Sequence, residues 1–185
     1  MTPDEAVVAV FAALDAAAIP YTLVGSLASN FHGIPRSTRD ADFVVELSTG
    51  SLQRLEAHLA PSLTLERQGA FEAVTGTMRY LIVLAGNPFV CELFVLSDDA
   101  HDRERFARRR STRVLTHAAY VASAEDMIVT KLRWAVGAHR SKDRDDIRNM
   151  IAVRGPELDW GYIDRWALTH GTAALLAEIK ASLRP

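Results

Sequence analysis

The chain contains one cysteine in 185 residues, Cys91, so it cannot form an internal disulfide. Cys91 lies in an apolar run and reads as a small core residue in a reducing compartment. There is no basic excess: the formal net charge is -2. The molecule as a whole is therefore not built to attract polyanions, and any RNA contact needs a local patch. No apolar run approaches the ~20 residues of a membrane span. Thr2-Pro3-Asp4-Glu5 has none of the basic character of a secretory leader. The expectation is a cytoplasmic protein with no membrane partner. Repeats and low-complexity segments are missing too. What remains is ordinary globular composition, 49% hydrophobic and 24% charged, in a length that suits one domain or two closely joined units.

The informative stretch is Tyr21 to Leu47, YTLVGSLASNFHGIPRSTRDADFVVEL. A short apolar run, Tyr21 to Val24, leads into Gly25-Ser26. A short helical segment follows (Leu27 to Phe31), then the turn Gly33-Ile34-Pro35, two arginines, and Asp40-Ala41-Asp42 opening a second apolar run. Alternate residues of a strand point the same way, so Asp40 and Asp42 aim at one point. Gly25 permits close backbone approach. Ser26 reads as a helix N-cap whose hydroxyl and neighbouring N–H groups suit a phosphate. Two carboxylates facing such a turn point to a divalent metal held beside a phosphate. One of Arg36 and Arg39 could bind a triphosphate or an RNA phosphate; the other reading is a surface arginine or a salt bridge to Asp40 or Asp42.

Elsewhere the pattern predicts helices over Thr2 to Ala18, Leu52 to Leu59, Asp98 to Arg110, from Ser123 to Gly137, and at the C-terminal end. Short strands are expected at Leu63 to Arg67 and Phe71 to Val74. Arg79 to Leu84 and Phe89 to Leu96, around Ala85-Gly86-Asn87-Pro88, form a predicted antiparallel hairpin. Arg113 to Leu115 and Ala119 to Ala122 read as a strand or extended connection. Glu92 interrupts the apolar run Val90 to Phe94, and a charge there needs a metal, an arginine or solvent. Arg108-Arg109-Arg110 is the most basic run, either an RNA contact or a solvated helix end. Lys131 stands on an apolar helix, where it snorkels to solvent or enters a site. His32, at a helix end, reads as a packed or capping ring. On a helix beginning near Ser141, Asp143 and Asp146 share a face.

Gly25-Ser26, thirteen intervening residues and Asp40-Ala41-Asp42 resemble the first motif of the polymerase-β-type nucleotidyltransferase superfamily. The wider phrase LVGSLASNFHGIPRSTRDADFVV is similar to its AbiEii-like toxin branch. Lys131-Leu132, followed by Arg140, Lys142, Asp143 and Asp146, is similar to that branch's Lys-Leu and Arg-x-Lys-Asp-x-x-Asp elements. The resemblance implies an α/β (α+β) fold: a mixed-sheet core over residues 1–118, and a helical C-terminal region over 119–185 packed on it. It implies transfer of a nucleoside monophosphate from a nucleoside triphosphate, with two Mg2+ ions held by Asp40, Asp42 and Glu92. Lys131 and Asp146 would complete the catalytic set. Gly25, Ser26, Arg39, Lys131, Arg140, Lys142 and Asp143 would bind nucleotide. The acceptors it implies are tRNA for a toxin with a cognate antitoxin, a partner protein for an antitoxin-type enzyme, or a small molecule such as an aminoglycoside. A non-catalytic binding module on the same fold is the remaining reading.

Overall fold

The computed structural model describes residues 1–73, 76–137 and 141–183. The first helix, α1 (Pro3–Ala16), starts in a reciprocal cap: Thr2 Oγ1 accepts the Glu5 N–H at 3.2 Å, and Glu5 Oε2 accepts the Thr2 N–H at 2.8 Å. It leads to β1 (Tyr21–Val24), α2 (Gly25–His32), β2 (Asp40–Val45) and α3 (Ser51–His58). Three strands follow, β3 (Leu63–Glu72), β4 (Thr77–Leu84) and β5 (Val90–Val95), then α4 (Ala100–Ala107). A hairpin of β6 (Arg110–Val114) and β7 (His117–Val121) precedes α5 (Ala124–Gly137), α6 (Ser141–Arg154), α7 (Trp160–Thr169) and α8 (Ala173–Ser182).

All seven strands form one sheet in the order β3-β4-β5-β2-β1-β7-β6. The β1–β7 and β2–β5 pairs are parallel and the others antiparallel. This is a mixed α+β architecture, with eight α-helices flanking the sheet among the described residues. The side-chain alternation of β2 sorts its residues cleanly. Ala41, Phe43 and Val45 are wholly buried on one face, which α1 covers through Phe11, whose ring centroid lies 5.7 Å from Tyr21 and 5.5 Å from Phe43. Asp40 and Asp42 point to the other face, where α2, α5 and α6 gather. β7 spans the boundary expected at residue 118 and lies parallel to β1.

Several local expectations change. The two strands expected between Leu63 and Val74 are one strand to Glu72, with a register shift between Glu66 and Ala70 that absorbs the polar Arg67-Gln68-Gly69; Val74 lies outside the described residues. The helix expected to reach Arg110 ends at Ala107, and Arg110 opens β6. The arginine cluster is not a solvated helix end. Arg108 stacks 4.0 Å over Tyr162, and Arg109 lies 4.2 Å over Phe106, so both are held by ring faces. Ser26 is not an N-cap: Val24 takes that position with no side-chain cap, and Ser26 sits inside the first turn of α2.

Candidate active site

The strand β1 ends by turning directly into α2, and Gly25 makes that turn at φ +64°. Side chains rarely adopt that region, and here there is a second reason for glycine. A Cβ on Gly25 would stand 1.7 Å from Asp42 Oδ2. The carboxylate of Asp42 thus lies against a bare backbone. Register supplies the rest: Val24, Asp42 and Glu92 stand side by side across β1, β2 and β5. Asp40, two residues earlier, faces the same way, and the Thr38 hydroxyl donates to its Oδ1 at 2.6 Å.

These groups open on a cavity of about 200 Å³, whose lining includes Gly25, Ser26, Asp40, Asp42, Glu92 and Lys131. Lys142 and Asp143 line it as well. The cluster is oxygen-rich and acidic, the donor set of a hard cation such as Mg2+. Asp40 and Asp42 fit such an ion, and so does Glu92 by position. Glu92 also carries an arginine: Arg79 Nη1 donates to its two oxygens at 3.1 and 3.3 Å.

Opposite the sheet a chain of charges, buried except at Arg36, begins at the cavity and runs behind it. Lys131 is 4% exposed and does not snorkel. Its Nζ donates to Asp143 Oδ1 at 3.0 Å and pairs with Asp146 Oδ2 at 2.8 Å. Asp146 also takes a two-pronged contact from Arg36, 2.7 Å from Nε and 2.8 Å from Nη2. The same Nη2 reaches Ser26 Oγ at 3.0 Å. Ser26, Arg36, Asp146, Lys131 and Asp143 therefore link α2, the loop after it, α6 and α5. Burial pushes the Asp146 carboxyl up, but hydrogen bonds and charge from Arg36 and Lys131 outweigh it and hold it below the usual carboxylate range. Arg36 is held above its ordinary value chiefly by its hydrogen bonds to Asp146.

Asp143 and Asp146 do share a helix face, as their spacing requires. Arg36 pairs with neither Asp40 nor Asp42; it reaches the later helix, which no local spacing announces. Arg39 is exposed and does not line the cavity. Asp146 does not line it either; it touches the lining residue Lys131 directly and Ser26 by way of Arg36. Arg140 lies outside the described residues. His32 is a packed ring, its Nε2 2.7 Å from the Ala122 carbonyl oxygen. Sequence reading missed Arg79, Arg105 and Trp134 in the cavity wall. Arg79 had a signal: it opens an apolar strand whose partner strand carries Glu92.

Neither a family model nor a curated protein matches the chain. Solved structures do. The solution structure of the antibiotic-resistance factor ANT(2'')-Ia aligns at TM-score 0.64 and 12% identity, over 98% of this chain and 97% of that one. A crystal structure of ANT(2'')-Ia with adenylyl-2''-tobramycin aligns at TM-score 0.58 and 15% identity, over 93% and 98% of the two chains. An antigenic nucleotidyltransferase-like protein from Paracoccidioides brasiliensis aligns at 0.54 and 18%, over 97% and 93%. The chain has the nucleotidyltransferase-like fold, along essentially its whole length.

Proposed function

We propose that the protein is a divalent-metal-dependent nucleotidyltransferase that moves a nucleoside monophosphate from a nucleoside triphosphate to an acceptor hydroxyl. The observation that carries this is the seating of Asp42 against the bare Cα of Gly25, with Asp40 and Glu92 beside it on one cavity. That arrangement brings three carboxylates of neighbouring strands to one cavity, a concentration of acids that a bound cation stabilises.

In the reaction the acceptor oxygen bonds to the α-phosphorus, the bond from that phosphorus to the bridging oxygen breaks, and pyrophosphate leaves. The acceptor proton passes to a carboxylate of the cavity. Mg2+ held by Asp40, Asp42 and Glu92 would supply charge neutralisation and sharpen the attacking hydroxyl. The first turn of α2, from Gly25 and Ser26, offers N–H groups to the phosphates. Lys131 and Lys142 oppose phosphate charge from the far wall, and Lys131 is already oriented by two carboxylates. Asp146 is a positioning residue that fixes Arg36 and Lys131. Arg39 and Arg140 remain nucleotide ligands expected from the resemblance alone.

A small hydroxylated amine is better supported as acceptor than tRNA. Asp40, Asp42, Glu72, Glu92 and Asp143 share the cavity with Arg79, Arg105, Lys131 and Lys142, so it carries no basic excess that would draw in a polynucleotide backbone. The similarity to a structure holding an adenylylated aminoglycoside agrees with this. The test is incubation of the protein with each α-labelled nucleoside triphosphate, Mg2+ and, separately, aminoglycosides, tRNA and total protein. Label on an aminoglycoside, absent with Asp42→Ala, supports the reading. Label on tRNA or protein moves the acceptor to the toxin or antitoxin type. No label on anything, with nucleotide binding equal in wild type and variant, supports the binding module.

A further inference from the structure

Outside the cleft, three ligand-bearing side chains meet where the start of α4 touches the end of α7. Asp99 is the N-cap of α4, accepting the His101 and Asp102 N–H groups on Oδ1 at 3.0 and 3.2 Å. His101 is one residue into that helix, and His170 caps the C-terminus of α7. One ligand atom from each lies within 4.8 Å of the others. The two imidazole centroids are 5.1 Å apart.

The second observation is independent of that clustering. His101 is wholly buried, yet neither ring nitrogen has a hydrogen-bond partner; the buried Nδ1 of His170 has none either. Buried polar atoms left unpaired are costly and rare, and each asks for a reason. Aromatic packing explains why the rings are there, since Trp166 lies 4.8 Å from His101 and 5.3 Å from His170. It does not explain three orphaned nitrogens. A phenylalanine would pack as well without that cost.

We propose that Asp99, His101 and His170 form a binding site for a zinc-class divalent cation, separate from the Mg2+ expected in the cleft. Two imidazole nitrogens and one carboxylate oxygen are the donors such an ion prefers, with a water in the fourth position. Tetrahedral ligands around zinc sit on the order of 3–3.5 Å apart, so loading requires the three side chains to close slightly. Asp126 Oδ1 lies 3.9 Å from His101 Nε2, beyond hydrogen-bond reach; a small rotation of the ring on loading would bring the two together, as ligand histidines usually require, and leave Nδ1 to the ion. Asp126 is itself fixed by the Ser123 and Tyr162 hydroxyls, at 2.6 and 2.5 Å. Entry is from the surface cavity that His170 lines with Arg133, Val136 and Thr172.

One neighbouring cation must be displaced. Arg133 Nη1 lies 3.6 Å from Asp99 Oδ1, but only 3.8 Å from Asp102 Oδ1, so it has an alternative partner one turn along. A bound ion would clamp α4 to the α7–α8 corner, tying the C-terminal helices to the core.

The experiment uses tag-free, chelator-treated full-length protein titrated with zinc chloride by calorimetry, with melting temperature as a second readout. One equivalent is expected, and at a hundredfold excess over Kd a rise of about 5–10 °C. His170→Ala, and Asp99→Asn, which keeps the helix cap, should each weaken binding at least about tenfold. Asp42→Asn, in the cleft, should bind zinc as wild type does. Cobalt(II) in place of zinc should give the visible absorption of a tetrahedral nitrogen–oxygen site. Absence of stoichiometric zinc binding overturns the proposal. So does unchanged affinity in both Asp99→Asn and His170→Ala, which places the ion elsewhere.

Discussion

Asp42 occupies the space where any side chain on residue 25 would have to be: a Cβ there would be 1.7 Å from Asp42 Oδ2. The glycine before the serine and the second aspartate are therefore one feature, made by two strands in register. The Gly25→Ala variant should still fold, at a cost of about 1–2 kcal/mol for the positive φ. Its Asp42 must move by an ångström or more, and a misplacement of that size costs on the order of a hundredfold in rate. Comparison of transfer rate and denaturant midpoint in the same preparation checks this. A large rate loss with a small stability loss is expected.

Asp146 joins buried Lys131 to half-buried Arg36, so removing its charge leaves Arg36 without its ion-pair partner and Lys131 with Asp143 alone. Asp146→Asn should lose about 1–3 kcal/mol at neutral pH, because one cation keeps a partner and the other reaches solvent. Its folded pKa lies below the ordinary carboxylate value. The stability it contributes is therefore fully present above that ordinary value, and is lost as pH falls through the lower folded one. Urea unfolding of wild type and Asp146→Asn should differ most near pH 7 and converge as the pH falls below the usual carboxylate range.

Arg79 and a metal ion compete for Glu92. With Glu92 as a third ligand, Arg79→Met should lower the Mg2+ concentration giving half-maximal transfer, and Glu92→Gln should raise it. If Arg79 instead holds substrate phosphate, Arg79→Met raises the KM for nucleotide and leaves the Mg2+ requirement alone.

Phe11 supports the opposite face of the sheet and touches nothing in the cleft. Phe11→Ala should cost about 3–5 kcal/mol of stability. The folded fraction should keep the wild-type Mg2+ requirement and nucleotide KM, which separates packing from chemistry.

The parts legible in the sequence were those fixed by short-range rules. The period of two placed Asp40 and Asp42 on one side, and the apolar flanks placed both aspartates at the start of a core strand. The turn Ala85-Gly86-Asn87-Pro88 announced its hairpin. Asp143 and Asp146 shared a face because helices repeat every three to four residues. What spacing could not show was pairing across the fold. Arg36 meets Asp146, 110 residues away, and the polar loop carrying that arginine offers no periodicity to orient it. The Asp99, His101 and His170 cluster likewise joins two helix ends, and neither local pattern marks it. Ser26 was misassigned for a different reason. Serine before an apolar run usually caps a helix, but Gly25 starts this one two residues early and puts the hydroxyl within reach of Arg36.

The most direct test is calorimetric titration of a non-hydrolysable nucleoside triphosphate into wild type, Asp40→Asn and Asp42→Asn, with and without Mg2+. Wild type should bind at least tenfold tighter with Mg2+ than without, and both variants should lose that enhancement while remaining folded. Equal affinity in all three proteins, whether or not Mg2+ is present, would contradict the assignment of these carboxylates to a metal–nucleotide site.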